Sequence, residues 1–381
     1  MYFNWDQHHK KLYEQILEFS QTHLKELLLE PVHQHFFPYS QWQKCGELGL
    51  LGLSVAQEYG GRGLDALTTA RVEEALGKGC ENLGFVFSVA AHLFACVMPI
   101  YEYGSEEIKQ AYLPGLCSGK WIGANAMTEA EAGSDISHLK TLAIREGDEY
   151  ILNGTKSYVS NAPIADIFMV YATTNPSHGH MGISAFIIER NTPGLIIGEP
   201  VEKMGLNTSL ISPVQFENCR INIKQRIGEE GKGTTIFTKS MQWERSGLFA
   251  TYLGMMERQL ERTIAHASAR KQFRKAVSKN QAVSHKIVDM KLRLEAARLL
   301  TYKACSSMDQ NEDATLDISL AKLAVSEAAI QSSIDAIQIH GGIGYLIETG
   351  IEQMLRDSIP ATIFSGTSEI QRDLIARKLG L

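Results

Sequence analysis

One acidic residue stands at the head of an ordered stripe. From Glu244, in the segment MQWERSGLF, the residues Gly247, Thr251 and Gly254 follow at spacings of three, four and three, which a helix places on one face. Small residues in that register make either a seam for close helix packing or a groove with a carboxylate at its head, and a carboxylate so placed is a general base. The chain closes on IFSGTSEIQRDLIARKLG, Ile363 to Gly380, a turn that runs into an amphipathic helix. Thr367 and Glu369 open that helix, and a helix N-terminus is a natural anion site.

Other groupings exclude more than they suggest. Gly60, Gly61 and Gly63 have no strand pattern before them, and GEEGKGTT, Gly228 to Thr235, lacks the G-x-x-x-x-G-K-[ST] spacing, so both are expected to be loops rather than phosphate cradles. His178 and His180 in TTNPSHGHMG have no third ligand nearby, so a solvated loop is expected there and no metal. Six cysteines (Cys45, Cys80, Cys96, Cys117, Cys219, Cys305) are scattered without a C-x-x-C pair, which suggests neither a zinc knuckle nor a disulfide framework. A reducing cytoplasm fits that usage.

The 381 residues, 44% of them hydrophobic, allow two or three domains with extended cores. A net charge of -6 without a basic stripe argues against nucleic acid or an anionic membrane surface as partner. The start, MYFNWDQHHKKLYEQILEF, has acidic residues and helical spacing, unlike a signal peptide. Leu83 to Ile100 holds no Asp, Glu, Lys or Arg and is nearly long enough to span a bilayer. His92, Pro99 and the lack of basic flanks favour a helix buried on all sides.

Residues 1 to 119 read as a helical domain with breaks at LEPVHQ, EYGGRGLD and YEYGSEE. From 120 to 232 the period becomes two: DEYILNGTKSYVSN, IADIFMVYATT, GISAFIIER, GLIIGEP and SPVQFENCRIN, with Val214 and Phe216 alternating against Gln215 and Glu217, make a barrel-like β-domain. From 233 to 381 the chain is helical again. Phe249, Leu253, Met256, Leu260, Ile264 and Ala267 mark one amphipathic helix of a four-helix bundle, and Val283, Ile287, Met290, Leu294 and Ala297 mark a second. The fold class is α+β, in the order α, β, α.

Three segments add a resemblance: AMTEAEAGSDISHLKT (Ala126 to Thr141), ARKQF with NQAVSHK (Ala269 to Lys286), and QIHGGIGY with LRD and FSGTSEIQR (Gln338 to Arg372). With GSEEIKQAYLPGLCSGKW ahead of the β-domain, they resemble the acyl-CoA dehydrogenase family, flavoenzymes that desaturate acyl thioesters at Cα and Cβ. The resemblance covers nearly the whole chain and implies FAD. Met127, Thr128, Gly133 and Ser134 would offer hydroxyls and backbone N–H groups to it, and Tyr158 and Ser160 would lie against its ring. Arg270, Phe273, Gln281, Gln338, Gly341 and Gly342 match positions that hold the FAD of a neighbouring subunit, which implies a homodimer or homotetramer. Thr367 and Glu369 complete the cofactor set.

Many relatives carry the catalytic carboxylate in YEGT, where this chain has FSGT and Ser365. Others take the base from the helix that opens the C-terminal domain, and Glu244 matches that alternative. By the same matching, Ser134 and Arg245 would contact the pantetheine side, the Ser365 N–H would bind the thioester oxygen, and the Leu83 to Ile100 helix would wall the acyl pocket. Ala130, His138 and Arg274 depart from the usual family residues. The chain also resembles the subgroup that oxidises prolyl groups tethered to a peptidyl carrier protein. The expected function is therefore FAD-dependent oxidation of an acyl thioester, on a carrier protein or CoA, with oxygen or an electron-transfer flavoprotein as acceptor. A short- or branched-chain acyl-CoA dehydrogenase and an inactive flavin-binding scaffold are the alternatives.

Overall fold

The computed structural model describes residues 5–25 and 36–381, so the LEPVHQ break and the first four residues lie outside the described residues. The N-terminal helices are α1 (Gln7–His23), α2 (Tyr39–Glu47), α3 (Ala66–Gly79), α4 (Leu83–Ala91), α5 (Met98–Tyr103) and α6 (Glu106–Cys117). Their starts are locally encoded. Asp6, Asp65 and Ser105 each accept a backbone N–H of the first turn as N-caps.

A π turn, His92–Val97, joins α4 to α5 into one helix, Leu83–Tyr103, whose most apolar window is wholly buried, as expected from His92, Pro99 and the lack of basic flanks. The Gly60 to Gly63 stretch is a packed turn. A Cβ on Gly61 would sit 2.1 Å from Val55 O.

The middle strands are β1 (Gly123–Ala126), β2 (Leu142–Glu146), β3 (Glu149–Ser160), β4 (Ile167–Thr173), β5 (Ile183–Glu189), β6 (Leu195–Ile197), β7 (Ile211–Asn222) and β8 (Arg226–Ile227). They run β6-β7-β3-β2-β4-β5-β8, with β1 parallel to β4. The path does not close by hydrogen bonds. The sheet nonetheless folds over one inner core, since Tyr150 on β3 meets Phe186 on β5 at 5.0 Å between ring centroids. On β7 the alternation holds, with Val214 and Phe216 buried and Gln215 and Glu217 exposed. The opposite face of β4, carrying Ile167, Met169 and Tyr171, packs on the helices.

The chain then returns to helix: α7 (Gly233–Trp243), a second π turn (Glu244–Leu248), α8 (Phe249–Ala269), a hairpin of β9 (Lys271–Gln272) and β10 (Lys275–Ala276), α9 (Gln281–Asp309), α10 (Thr315–His340), α11 (Ile351–Ser358) and α12 (Ser368–Lys378). On α8 the expected stripe is buried except for Ile264, which is 44% exposed. At Thr251 and Gly254 the stripe of small residues is a packing seam, not a groove. A Cβ on Gly254 would lie 2.0 Å from Glu74 O of α3, and one on Gly77 2.0 Å from Thr251 O. The backbones of α3 and α8 touch, so no ligand passes between them there.

Candidate active site

Glu244 opens the π turn between α7 and α8 and is only 8% exposed. Facing it is the turn before α12. There Ser365 holds φ 56°, a left-handed conformation that a non-glycine residue keeps only when its surroundings enforce it. The enforcement is visible. The Ser365 hydroxyl donates to Glu244 Oε1, and the Ser365 carbonyl accepts from Arg245 Nε at 2.7 Å. Phe364 anchors the same turn between Phe87 and Phe249, with centroids at 5.0 and 5.3 Å. The Ser365 N–H donates to no backbone acceptor among the described residues.

Burial raises the Glu244 pKa above the ordinary carboxylate value, while the Ser365 hydroxyl, Arg245 and Lys322 pull it back. Arg245 is itself lowered to about 10, by burial, with Glu244 opposing. Lys322 on α10 is wholly buried, its Nζ makes no hydrogen bond among the described residues, and it lies 5.3 Å from the Phe249 ring centroid. Burial first and Arg245 second lower it to about 8, with Glu369, Glu327 and Glu244 opposing. A buried carboxylate that accepts from a hydroxyl and feels the charges of Arg245 and Lys322 is suited to take a proton from a weak carbon acid.

The Met127 to Thr141 loop is pinned from beneath by an ion pair absent from the sequence reading. Lys156 Nζ donates to Glu129 Oε1 at 2.7 Å and to Met127 O at 3.0 Å, and Glu129 accepts from the Lys140 and Thr141 N–H groups at 2.6 and 3.0 Å. Thr128 O accepts from Ser157 N–H at 2.8 Å. Lys156 was legible as an oddity, because it falls on the inward parity of β3 with Tyr150 and Leu152 and so needs a buried anion. Lys322 was legible likewise, as it sits on the apolar stripe of Ile318, Val325 and Ala329.

The residues around this loop fit a large flat cofactor. Tyr158 presents an exposed ring at φ 55°, Ser134 is exposed, Ser160 is half-buried, and Gly133 has open space where a side chain would be. Thr367 caps α12, accepting from Ile370 N–H, and exposed Glu369 follows it.

A second set lies elsewhere. Arg270, Phe273, Gln281, Gln338, Gly341 and Gly342 are all exposed, and His266 stacked on His340 at 4.3 Å joins the ends of α8 and α10 that carry four of them. From Glu244 to Arg270 along the helix is roughly 39 Å at 1.5 Å per residue. That set does not share a site with Glu244 in one chain. Phe273 and Arg274, at the tip of the β9–β10 hairpin, both have positive φ, 49° and 62°, a conformation that favours glycine.

His178 and His180 are exposed, and no group of three metal-ligating side chains occurs among the described residues.

Profiles of one family match nearly the whole chain: the acyl-CoA dehydrogenase N-terminal domain over residues 6–120, the middle domain over 124–219 and the C-terminal domain over 231–380. An L-prolyl-[peptidyl-carrier protein] dehydrogenase of Pseudomonas fluorescens is 53% identical, covering 100% of both chains. Among solved structures, PigA with FAD and proline superposes with a TM-score of 0.98 at 46% identity, over 100% of each chain. The prolyl acyl carrier protein oxidase AnaB superposes with a TM-score of 0.97 at 45% identity, over 99% of this chain and 100% of the other.

Proposed function

The chain belongs to the acyl-CoA dehydrogenase family, FAD-dependent oxidoreductases acting on CH–CH bonds, and from that premise we propose that it desaturates a prolyl group carried as a thioester on a peptidyl carrier protein. The observation that carries the reading is the buried Glu244 carboxylate, held by Ser365, in a chain that resembles prolyl-carrier-protein dehydrogenases over its full length.

Glu244 takes the α-proton of the thioester, and the electron pair left at Cα forms the double bond as hydride leaves Cβ. FAD, when bound, supplies the acceptor for that hydride. The thioester oxygen accepts from the Ser365 N–H, which stabilises charge as the α-proton leaves and acidifies the α-carbon. Arg245 braces the Ser365 turn and flanks the pantetheine arm with Ser134. Met127, Thr128, Gly133, Ser134, Tyr158 and Ser160 hold the cofactor on the same chain, together with Thr367 and Glu369. Arg270, Phe273, Gln281, Gln338, Gly341 and Gly342 hold that of a neighbouring subunit. Their distance from Glu244 supports an assembly of two or four copies.

Electrons leave to oxygen or to an electron-transfer flavoprotein. Six free, buried cysteines support a cytoplasmic location.

The test is a substrate panel. Holoenzyme mixed anaerobically with prolyl-carrier protein is expected to lose its flavin absorbance within seconds, and butyryl-CoA and isovaleryl-CoA to act far more slowly. Fast bleaching by an acyl-CoA with none by prolyl-carrier protein would replace this reading with an ordinary acyl-CoA dehydrogenase.

A further inference from the structure

Resting on the reading of Glu244 as the base, we infer that Lys322 is a positioning residue of the active site: a buried ammonium, kept without an acid of its own, that holds the Glu244 carboxylate in its ionised form. Two lysines are wholly buried among the described residues, and they are not alike. Lys156 meets Glu129 at 2.7 Å. Lys322 Nζ, a group with only donors to offer, has no hydrogen-bond partner among the described residues. On α10 it shares the apolar stripe of Ile318, Val325 and Ala329, where methionine would fill the space without burying an unpaired charge. A charge retained at such a place has a use.

The geometry ties it to the base. Phe249 stands five residues after Glu244, the span of one π-helical hydrogen bond, and Lys322 Nζ lies 5.3 Å from the Phe249 ring centroid. The same ring packs on Phe364 at 5.3 Å, next to the Ser365 whose hydroxyl donates to Glu244. A ring face attracts an ammonium without neutralising it, so the charge acts on the rest of the cluster. Arg245, the other cation, has its Nε engaged with the Ser365 carbonyl at 2.7 Å.

Lys322 and Glu244 act on one another. Burial is the largest influence on Glu244 and raises its pKa, and the Ser365 hydroxyl, Arg245 and Lys322 oppose it. On Lys322, burial first and Arg245 second lower the value to about 8, against Glu369, Glu327 and Glu244. Of the charged groups on the packed elements, Glu327 is paired with Arg372, Lys303 of α9 with Asp317 at 2.8 Å, and Glu74 of α3 with Arg298 at 2.9 Å, while Glu369 is exposed. Tyr171 of β4 also feels the Glu244 charge, but burial raises its hydroxyl well above the ordinary value and keeps it neutral. That leaves Lys322 as the unpaired cation that the carboxylate feels.

The experiment compares holoenzymes carrying Lys322→Met, Lys322→Arg, Glu244→Gln and the pair Lys322→Met with Glu244→Gln. With prolyl-carrier protein, Lys322→Met is expected to move the acid limb of the kcat/KM–pH profile upward by about one pH unit, because the carboxylate loses a charge that favours its ionised form. Lys322→Arg is expected to leave the limb near its wild-type position. A purely structural loss would lower the whole profile without shifting it. Melting temperatures complete a double-mutant cycle: Glu244→Gln leaves two buried cations without their anion, so adding Lys322→Met is expected to raise the melting temperature of that variant while lowering that of wild type. Lys322→Gln, read the same way, serves if the methionine variant does not fold.

Additive melting temperatures, or an acid limb that Glu244→Gln abolishes and Lys322→Met leaves unmoved, would overturn the inference. Non-additive melting with an acid limb that persists unshifted in Glu244→Gln would leave Lys322 as the countercharge of Glu244 and remove Glu244 as the base.

Discussion

Ser365, which the resemblance matches to the carboxylate of YEGT, donates its hydroxyl to Glu244 across a sequence separation of 121 residues. The serine hydroxyl favours the ionised form of Glu244, and on the reading proposed above it positions the base rather than replacing it.

Ser365→Ala removes that donor and leaves burial to raise the Glu244 pKa further, with only Arg245 and Lys322 opposing. The acid limb of the kcat/KM–pH profile should move to higher pH. A hydrogen bond to a charged group is worth about 1.5–3 kcal/mol, so activity at the acid end should fall about tenfold or more and recover at high pH. A profile that drops uniformly at all pH values would mean that the hydroxyl acts on the substrate instead.

Glu244→Gln keeps the shape and the hydrogen-bonding partner but removes the proposed base. Positioned general bases contribute roughly 10²–10⁴ in rate, and the anaerobic reduction rate of the flavin should drop by that order while FAD content stays unchanged. Reduction at the wild-type rate would require another acid near the ring.

Lys156→Met strands Glu129 in a site where it is 7% exposed. Breaking a buried pair costs about 3–5 kcal/mol, and the loop from Met127 to Thr141 loses its anchor with it. A lower melting temperature together with weaker FAD retention on gel filtration is expected, and adding Glu129→Gln should restore part of both. Lost stability with unchanged FAD affinity would separate the pair from the cofactor loop.

Glu73 on α3 is fully buried, neither carboxylate oxygen has a hydrogen-bond partner among the described residues, and burial raises its pKa to about 8. Its folded value lies above its unfolded value, so its contribution is intact below about 4.5 and is lost as pH rises through about 8. Glu73→Gln removes that titration. Its melting temperature relative to wild type should climb between pH 5 and 9, reaching the equivalent of a few kcal/mol. A difference independent of pH would show that Glu73 is solvated or paired.

Much of this was legible along the chain, because periods and caps are local. The β alternation at Val214 and Phe216, the N-caps Asp6, Asp65 and Ser105 and the uncharged run from Leu83 each follow from neighbours within a few residues. Glu244 was legible as an acid at the head of a stripe of small residues, and its match to the alternative base came only through the resemblance. The small-residue stripe was ambiguous for a physical reason: the same spacing serves a groove and a seam, and the choice rests on which residues fill the other side. Phe94 and α3 fill it.

Sequence pattern thus specifies which faces are apolar, where helices begin and which acid is available, since these depend on the order of side chains over one or two turns. It does not specify that Ser365 reaches Glu244, that Lys156 finds Glu129, or that Phe94 closes on Gly247. Those pairings join segments 27 to 153 residues apart, and they exist only once the π turns, the sheet and the bundle pack against one another and drive out water, which is also what raises the pKa of Glu244.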